Sequence, residues 1–375
     1  MKKIYRFIYV TVSILCMLNL SSCSGEKTNT KAEIEKIQVD KLSESPVELN
    51  ITPKLNFDEA IIDIPDVNEM YSLKLTRPIL NMQELTDEFT ASTEKFLDRK
   101  IDKSMLKYRY SNGKDEPTYL GISDSPEFKL NFNMLSYTDE ETYDETFFLP
   151  YGMYWVANKS SVYSKDLHLG EFNILRFYDK NEKKQSEDFE FMENAVDKLK
   201  NEYSYFMPSD FNIKPYRYID TDDIYYSILR IEYEGVPFNT DFFGHINETV
   251  KPLPVSDVEA FCELVIGKDG TIYRIASFSD LNIERQDTYT EIITPATACR
   301  LVDKEISDDV SFKVTRFDLL YNYEEIINEN DRTNLYYQSK PYWKITIERT
   351  GIAEYPMLAF MVDAISGEVK TYKIV

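Results

Sequence analysis

The segment MVDAISGEV, residues 361–369, brings Asp363, Ser366 and Glu368 close together along the chain. An acid, a hydroxyl and a second acid are the groups that general acid–base or nucleophilic chemistry uses. Two further pools of carboxylates lie in TDEETYDE (138–145) and DTDD (220–223). They are relevant because a glycosidase needs only two acids held about 5–9 Å apart. Neither pool has the alternating oxygen ligands around a glycine, closed by a bidentate Glu, that a calcium loop requires, so both are expected to be solvated loops. Trp155 and Trp343, with neighbouring tyrosines, have the residue types of a sugar-stacking platform, but aromatic residues at strand spacing are expected to pack in a core or across strands.

The other reaction classes lack their residues. There are two histidines, His168 and His245, far apart, and neither HExxH nor a paired-cysteine pattern occurs, so no zinc site is expected. There is no G-x-S-x-G elbow, and the 11 glycines form neither G-x-G-x-x-G nor a Walker loop, which removes the usual serine-hydrolase and phosphate-cradling frameworks. No catalytic set, metal or cofactor is expected. MVDAISGEV then reads as a hairpin turn in which Gly367 takes the positive φ and Asp363 accepts turn amides. The strand leading into it, Met357–Val362, is apolar on both faces.

The N-terminus carries the clearest signal. MKKIYRFIYVTVSILCMLNLSSC begins with Lys2, Lys3 and Arg6, continues through an apolar run from about Phe7 to Leu18, and ends in small residues. This is the pattern of a secretory leader, and the apolar run is shorter than the roughly 20 residues of a membrane span. Leu20, Ser21, Ser22 and Cys23 resemble the bacterial lipobox. That resemblance implies a leader over 1–22, cleavage before Cys23 and a lipid on its thiol, so that the chain sits on the extracytoplasmic side of a cell membrane. Residues 23–50 contain no aromatic residue and read as the anchor and a tether. If flexible, such a tether spans roughly 25–30 Å.

Charge narrows the partners further. The chain has 43 Lys plus Arg against 65 Asp plus Glu, a formal net charge of −22. So acidic a surface repels a phosphate backbone, and no nucleic acid is expected as a partner. Beyond Cys23, the cysteines left after processing are Cys262 and Cys299. A single disulfide between them and two buried free thiols are both compatible with their expected strand and helix.

The elements that must carry these residues follow from periodicity. Residues 51–182 read as an N-terminal α+β domain. Its helix has Met82, Leu85, Phe89 and Phe96 on one face and Asn81 as cap, and its strands include LKYRY, EFKLNFNM, MYWVANK and FNILRFY. From Ser186 a second amphipathic helix carries Met192, Ala195, Val196, Leu199, Tyr203 and Phe206 along one stripe. It leads into the strands YRYI and IYYSILRIEYEGVPF and the hairpin AFCELVIGKDGTIYRIASF. A third helix is capped by Thr294 with Pro295 at its first position, and Ala298, Leu301, Val302 and Ile306 face inward. SFKVTRFDLLYNY, PYWKITIER and the closing hairpin follow. The order repeats, and VIGKDGTI (265–272) aligns with VDAISGEV (362–369) through Val265–Val362, Gly270–Gly367 and Ile272–Val369.

These residues carry a family resemblance. The alanine in the inward stripe of a helix, the strand PYWKITI and the hairpin VDAISGEV resemble PepSY-type domains. The arrangement of YEGVPF followed by GKDGTI is similar to the YycH/YycI class of membrane-attached regulators and to propeptide domains of secreted metalloproteases. The chain as a whole is similar to uncharacterised lipoproteins of Clostridia and related bacteria. The resemblance covers roughly residues 186–375. It implies antiparallel sheets each packed by a helix in a PepSY-like (cystatin-like) manner, duplicated as modules 186–288 and 289–375. It also implies that the protein binds or inhibits rather than catalyses. The expected fold class is α+β. The expected function is that of a non-catalytic, lipid-anchored binding or regulatory protein acting on an extracytoplasmic protein, peptide or envelope component. A carboxylate-based glycan hydrolase and the solute-binding subunit of a transporter stand as alternatives.

Overall fold

In the computed structural model the described residues are 34–42, 52–76, 81–110, 132–149, 154–159, 178–179, 186–207, 210–221, 223–239, 262–278, 282–306, 311–326, 336–348 and 357–374. The described residues begin with four strands, β1 (Lys36–Gln38), β2 (Leu55–Asn56), β3 (Ile61–Asp63) and β4 (Met70–Thr76). Helix α1 (Met82–Leu97) precedes β5 (Lys107–Tyr110), β6 (Phe132–Thr138), β7 (Glu145–Leu149), β8 (Tyr154–Asn158) and β9 (Tyr178–Asp179). Helix α2 (Ser186–Glu202) precedes β10 (Asn212–Asp220), β11 (Ile224–Tyr233), β12 (Val236–Pro237), β13 (Glu263–Gly267), β14 (Ile272–Phe278), β15 (Asn282–Tyr289) and β16 (Glu291–Ile293). Helix α3 (Pro295–Glu305) precedes β17 (Phe312–Ile326), β18 (Tyr336–Glu348), β19 (Met357–Asp363) and β20 (Val369–Ile374). The fold class is α+β, as expected. The chain divides into Met1–Glu35, of which Ile34 and Glu35 are described, and Lys36–Val375, which carries every element named above.

The helices form where the sequence indicates and for the same reasons. The side chain of Asn81 accepts from the amides of Gln83 and Glu84 at the start of α1, and Met82, Leu85, Phe89 and Phe96 are buried. Thr294 accepts from the amide of Thr297, with Pro295 in the first turn of α3. In α2 Met192, Val196 and Leu199 are buried and Ala195 is half-buried against the core, but the helix stops at Glu202. A following turn delivers Tyr203 and Phe206 to the core.

The strands make two large sheets. One has ten strands in the order β5-β6-β7-β8-β14-β13-β11-β10-β9, with β12 on β11. The other has eight, running β15-β4-β18-β17-β2, with β3 on β17, β19 on β18 and β20 on β19. β1 and β16 form a separate two-stranded sheet. Val39 and Leu42 just after β1 are buried in the main core, so the expected tether over 23–50 is corrected: the stretch from Lys36 to Leu42 is part of the folded body. Among the described strands, the ladders are antiparallel except those of β2 and β3 with β17. Strand pairing therefore crosses the domain boundaries expected from sequence. Strands from 107–158 share a sheet with strands from 178–278, and β4 pairs with both β15 and β18. One apolar core runs beneath both sheets. Its aromatic centre in the larger sheet is Phe206, stacked on Trp155 at 5.1 Å and touching Phe148 and Phe89.

Each helix is followed by four strands that pair in chain order, β5 to β8, β10-β11-β13-β14 and β17 to β20. In the last two segments the ladders coincide. Ile219, Tyr226, Val265 and Arg274 form a row across the second segment. Asp318, Lys344, Met361 and Lys370 form the corresponding row of the third. Both first strands are irregular just before an arginine, Arg217 and Arg316.

One expected alignment needs a correction. Gly270 and Gly367 do correspond, with φ of +86° and +79°, and so do Ile272 and Val369. Val265, however, matches Met361, and Ile266 matches Val362. The turn closed by Gly267 N to Thr271 O is one residue shorter than the turn closed by Asp363 N to Glu368 O, and a register shift beside Val265 and Ile266 absorbs the difference. A slip of one residue would move a side chain to the opposite face. The observed match keeps Ile266 and Val362 both in the main core and Val265 and Met361 both outside it.

Two substitutions test this packing. Phe206→Ala should destabilise by about 3–5 kcal/mol in denaturant unfolding, since it empties the centre of an aromatic cluster; a loss below about 1 kcal/mol would contradict the shared core. Gly270→Ala should cost about 1–2 kcal/mol through backbone conformation alone, because a Cβ there meets nothing within 4 Å.

Candidate functional site

Where β11 and β12 approach β17, alternating strand positions direct charged side chains away from the core and toward one another. Phe238 forms an isolated bridge with Tyr321, and the amide of Asn239 donates to the Tyr321 carbonyl. This contact brings β10 and β11 of one sheet against β3, β17 and β18 of the other. Arg230 on β11 pairs with Asp63 on β3 and with Glu232 two residues along its own strand, and Lys214 reaches Glu232 at 2.9 Å. Arg316 pairs with Asp318 at 2.8 Å and lies 3.6 Å from Asp63.

The ring of Tyr216 lies among the guanidinium groups of Arg217, Arg230 and Arg316, each 5.0–5.1 Å from its centroid. A flat, electron-rich face suits three cations that would otherwise repel. The ammonium of Lys344 donates to Asn239 at 3.2 Å, and the amide of Asn239 donates to Asn322.

The electrostatics follow from burial. Asp318 is desolvated, which raises its pKa, and Arg316 and Lys344 pull against that rise. Burial likewise raises the Tyr216 phenol. Asp63, Glu232 and Asp318 each hold a cation, so the cluster has the chemistry of an ionic latch joining two sheets. Sequence reasoning passed over it. The available signal was an arginine two positions before an acid inside a strand, ILRIEY and VTRFDL, since period two puts both charges on one face.

The residues singled out from sequence are dispersed by the fold. Asp363 is the buried hinge of a hairpin. Its carboxylate accepts from the amides of Ile365 and Ser366 and pairs with Lys340, and the hydroxyl oxygen of Ser366 accepts from the Glu368 amide. Burial opposes ionisation of Asp363, but Lys340 and the two amides outweigh it and hold the pKa below the ordinary carboxylate value. The 138–145 cluster is a built turn rather than a free loop. Asp139 accepts from the amides of Glu141 and Thr142, and Arg99 clamps Asp139 and Asp144 at 2.7 and 2.9 Å. In 220–223, Asp220 pairs with Lys268 of the neighbouring turn.

Trp155 and Trp343 are both buried, Trp343 stacked on Phe317 and donating to the Ile293 carbonyl, so neither offers a sugar platform. Cys262 and Cys299 are both buried and are not joined by a disulfide in this structure. Cys262 precedes β13 in the larger sheet and lies beside Ser277. Cys299 lies on α3, where burial pushes its thiol up to about 12. Cys23, His168 and His245 lie outside the described residues. Among the described residues no His, Cys, Asp and Glu group is arranged to hold a metal ion, and no helix is long and apolar enough to cross a membrane.

Two measurements follow. Arg316→Met leaves Asp318 buried without its guanidinium and should cost about 3–5 kcal/mol, most of it recovered when Asp318→Leu is added; an additive double-mutant cycle would contradict the coupling. For Asp363, a depressed folded pKa gives stability that is present above the unfolded value near 3.9 and is lost as pH falls through the folded one. The stability difference between the parent and Asp363→Asn should therefore shrink as pH is lowered below about 4, read from denaturant midpoints; a constant difference would contradict the assignment.

No family model matches the chain, and no curated protein matches it. Among solved structures, an uncharacterised protein from Eubacterium rectale is similar, with a TM-score of 0.53 and 16% sequence identity over 85% of this chain and 91% of that one. At that identity the likeness concerns the fold, and it extends over both sheets of an α+β chain.

Proposed function

We propose that this chain is a lipid-anchored extracytoplasmic protein of a bacterial envelope that acts by binding a protein, peptide or envelope component. In this reading Cys23 carries the lipid, the tether ends before Lys36, where the chain pairs with β16, and the C-terminal half consists of duplicated PepSY-like modules.

The observation that carries the reading is the repeated helix and four-strand meander with matched registers, joined to an N-terminal sequence that resembles a lipobox. PepSY-like modules imply binding or inhibition. The charged groups with the most buried geometry, around Tyr216, are engaged with one another, which suits a rigid scaffold better than an acid–base pair poised over a substrate. Lipid anchoring would confine that scaffold to within a tether's reach of the membrane surface.

Metabolic labelling with a fatty-acid probe should mark the parent and not Cys23→Ala; continued labelling of the variant would refute the anchor. Cross-linking on intact cells followed by purification should recover a defined envelope component. A purified protein that instead hydrolyses cell-wall glycan would overturn the binding assignment.

A further inference from the structure

The last strands of the first two meanders, β8 and β14, pair with each other, Arg274–Phe278 against Tyr154–Asn158. That antiparallel seam fuses two four-stranded segments into one sheet. The corresponding last strand of the third meander is β20, and among the described strands it pairs with β19 alone. We propose that β20 pairs with β20 of a second copy of this chain, reproducing between molecules the seam that β8 and β14 form within one.

The register of the hairpin defines how. The amide of Asp363 donates to the carbonyl of Glu368, so antiparallel alternation makes Met361–Lys370 and Ala359–Tyr372 the hydrogen-bonded pairs. Val369, Thr371 and Lys373 then direct their amides and carbonyls away from β19. These positions are symmetric about Thr371. A second copy related by a two-fold axis through Thr371 would oppose Thr371 to itself and Val369 to Lys373 of the partner, and the outward groups of all three positions would be satisfied.

Sequence fits this register. Edge lysines usually deter strand addition, and β20 carries Lys370 and Lys373. In the Thr371-centred register Lys370 lies opposite the partner's Tyr372 and Lys373 opposite the partner's Val369, so no lysine faces a lysine. A shift by one residue in either direction would break the two-fold match of outward amides, which limits the alternatives. The strand also contains no acid in a chain of net charge −22, so two copies meet at a point spared from the overall repulsion. An isologous contact of this kind closes as a dimer.

Cysteine substitution in the full-length protein tests both the pairing and its register. Directly opposed residues of a hydrogen-bonded pair have Cα atoms about 5.5 Å apart, within the range a disulfide bridges. Under mild oxidation in membranes, Thr371→Cys should give a disulfide-linked dimer about tenfold above the unsubstituted protein. Lys370→Cys alone should stay near background, and a mixture of Lys370→Cys and Tyr372→Cys chains should restore the dimer. No dimer from Thr371→Cys, equal dimer from Lys370→Cys, or cross-linking of Thr371→Cys to a species other than this chain would each overturn the proposal.

Thr371→Pro gives an independent reading. It removes an outward amide without taking a bond from β19, so it should abolish the dimer seen by sedimentation. A Thr371→Pro chain that melts like the parent and still sediments as a dimer would also overturn it.

Discussion

Between β8 and β14, backbone groups of two different helix-and-meander segments satisfy one another along Ala157–Ile275 and Val156–Ala276. A strand at the end of a meander presents unpaired amides and carbonyls, which are costly to bury without partners and a template for aggregation when exposed. Joining two such ends solves the problem for both segments at once. It also fixes α1 and α2 on the same face of one sheet, where Phe89, Trp155 and Phe206 form a single aromatic centre. The remaining architecture builds on that sheet, with the third meander brought in through β4, β12 and the charged seam.

The seam between sheets has different energetics. Arg230, Arg316 and Lys214 offset the charge of Asp63, Glu232 and Asp318. Arg316, Asp318 and Glu232 are buried, Arg230 and Asp63 partly so and Lys214 reaches solvent, so for the buried members the attraction is partly offset by desolvation. Such a network adds little net stability over apolar packing, but each member depends on the others. Its effect is on geometry: it accepts one arrangement of β11 against β17 and penalises those that would leave an acid or a guanidinium unpaired. The position equivalent to Asp318 in the second segment is Ile219, and the position equivalent to Lys344 is Tyr226. The same backbone site is therefore apolar where it faces its own sheet's satellite cluster and ionic where it belongs to the junction.

The sequence by itself determined the local features, because these depend on neighbours along the chain. The caps at Asn81 and Thr294, the inward stripes of the helices and the glycine of each closing turn were legible from spacing and residue type. Asp363 could also be read as a turn residue, since an acid followed by a glycine at a hairpin acts on amides only two and three positions away. The alignment of the two hairpins was legible as far as Gly270–Gly367, and it failed by one residue at Val265. A shorter turn compensated by a strand irregularity leaves no mark in an ungapped comparison.

Only the tertiary structure decided what depends on residues far apart in sequence. The partnership of β4 with β15, of β8 with β14 and of Arg230 with Asp63 joins positions separated by more than a hundred residues. No periodicity encodes which edge meets which. Arg230 and Glu232, or Arg316 and Asp318, look in sequence like solvated charges on strands. They become a largely buried latch because the fold turns those two faces toward each other and removes much of the water that would have screened them.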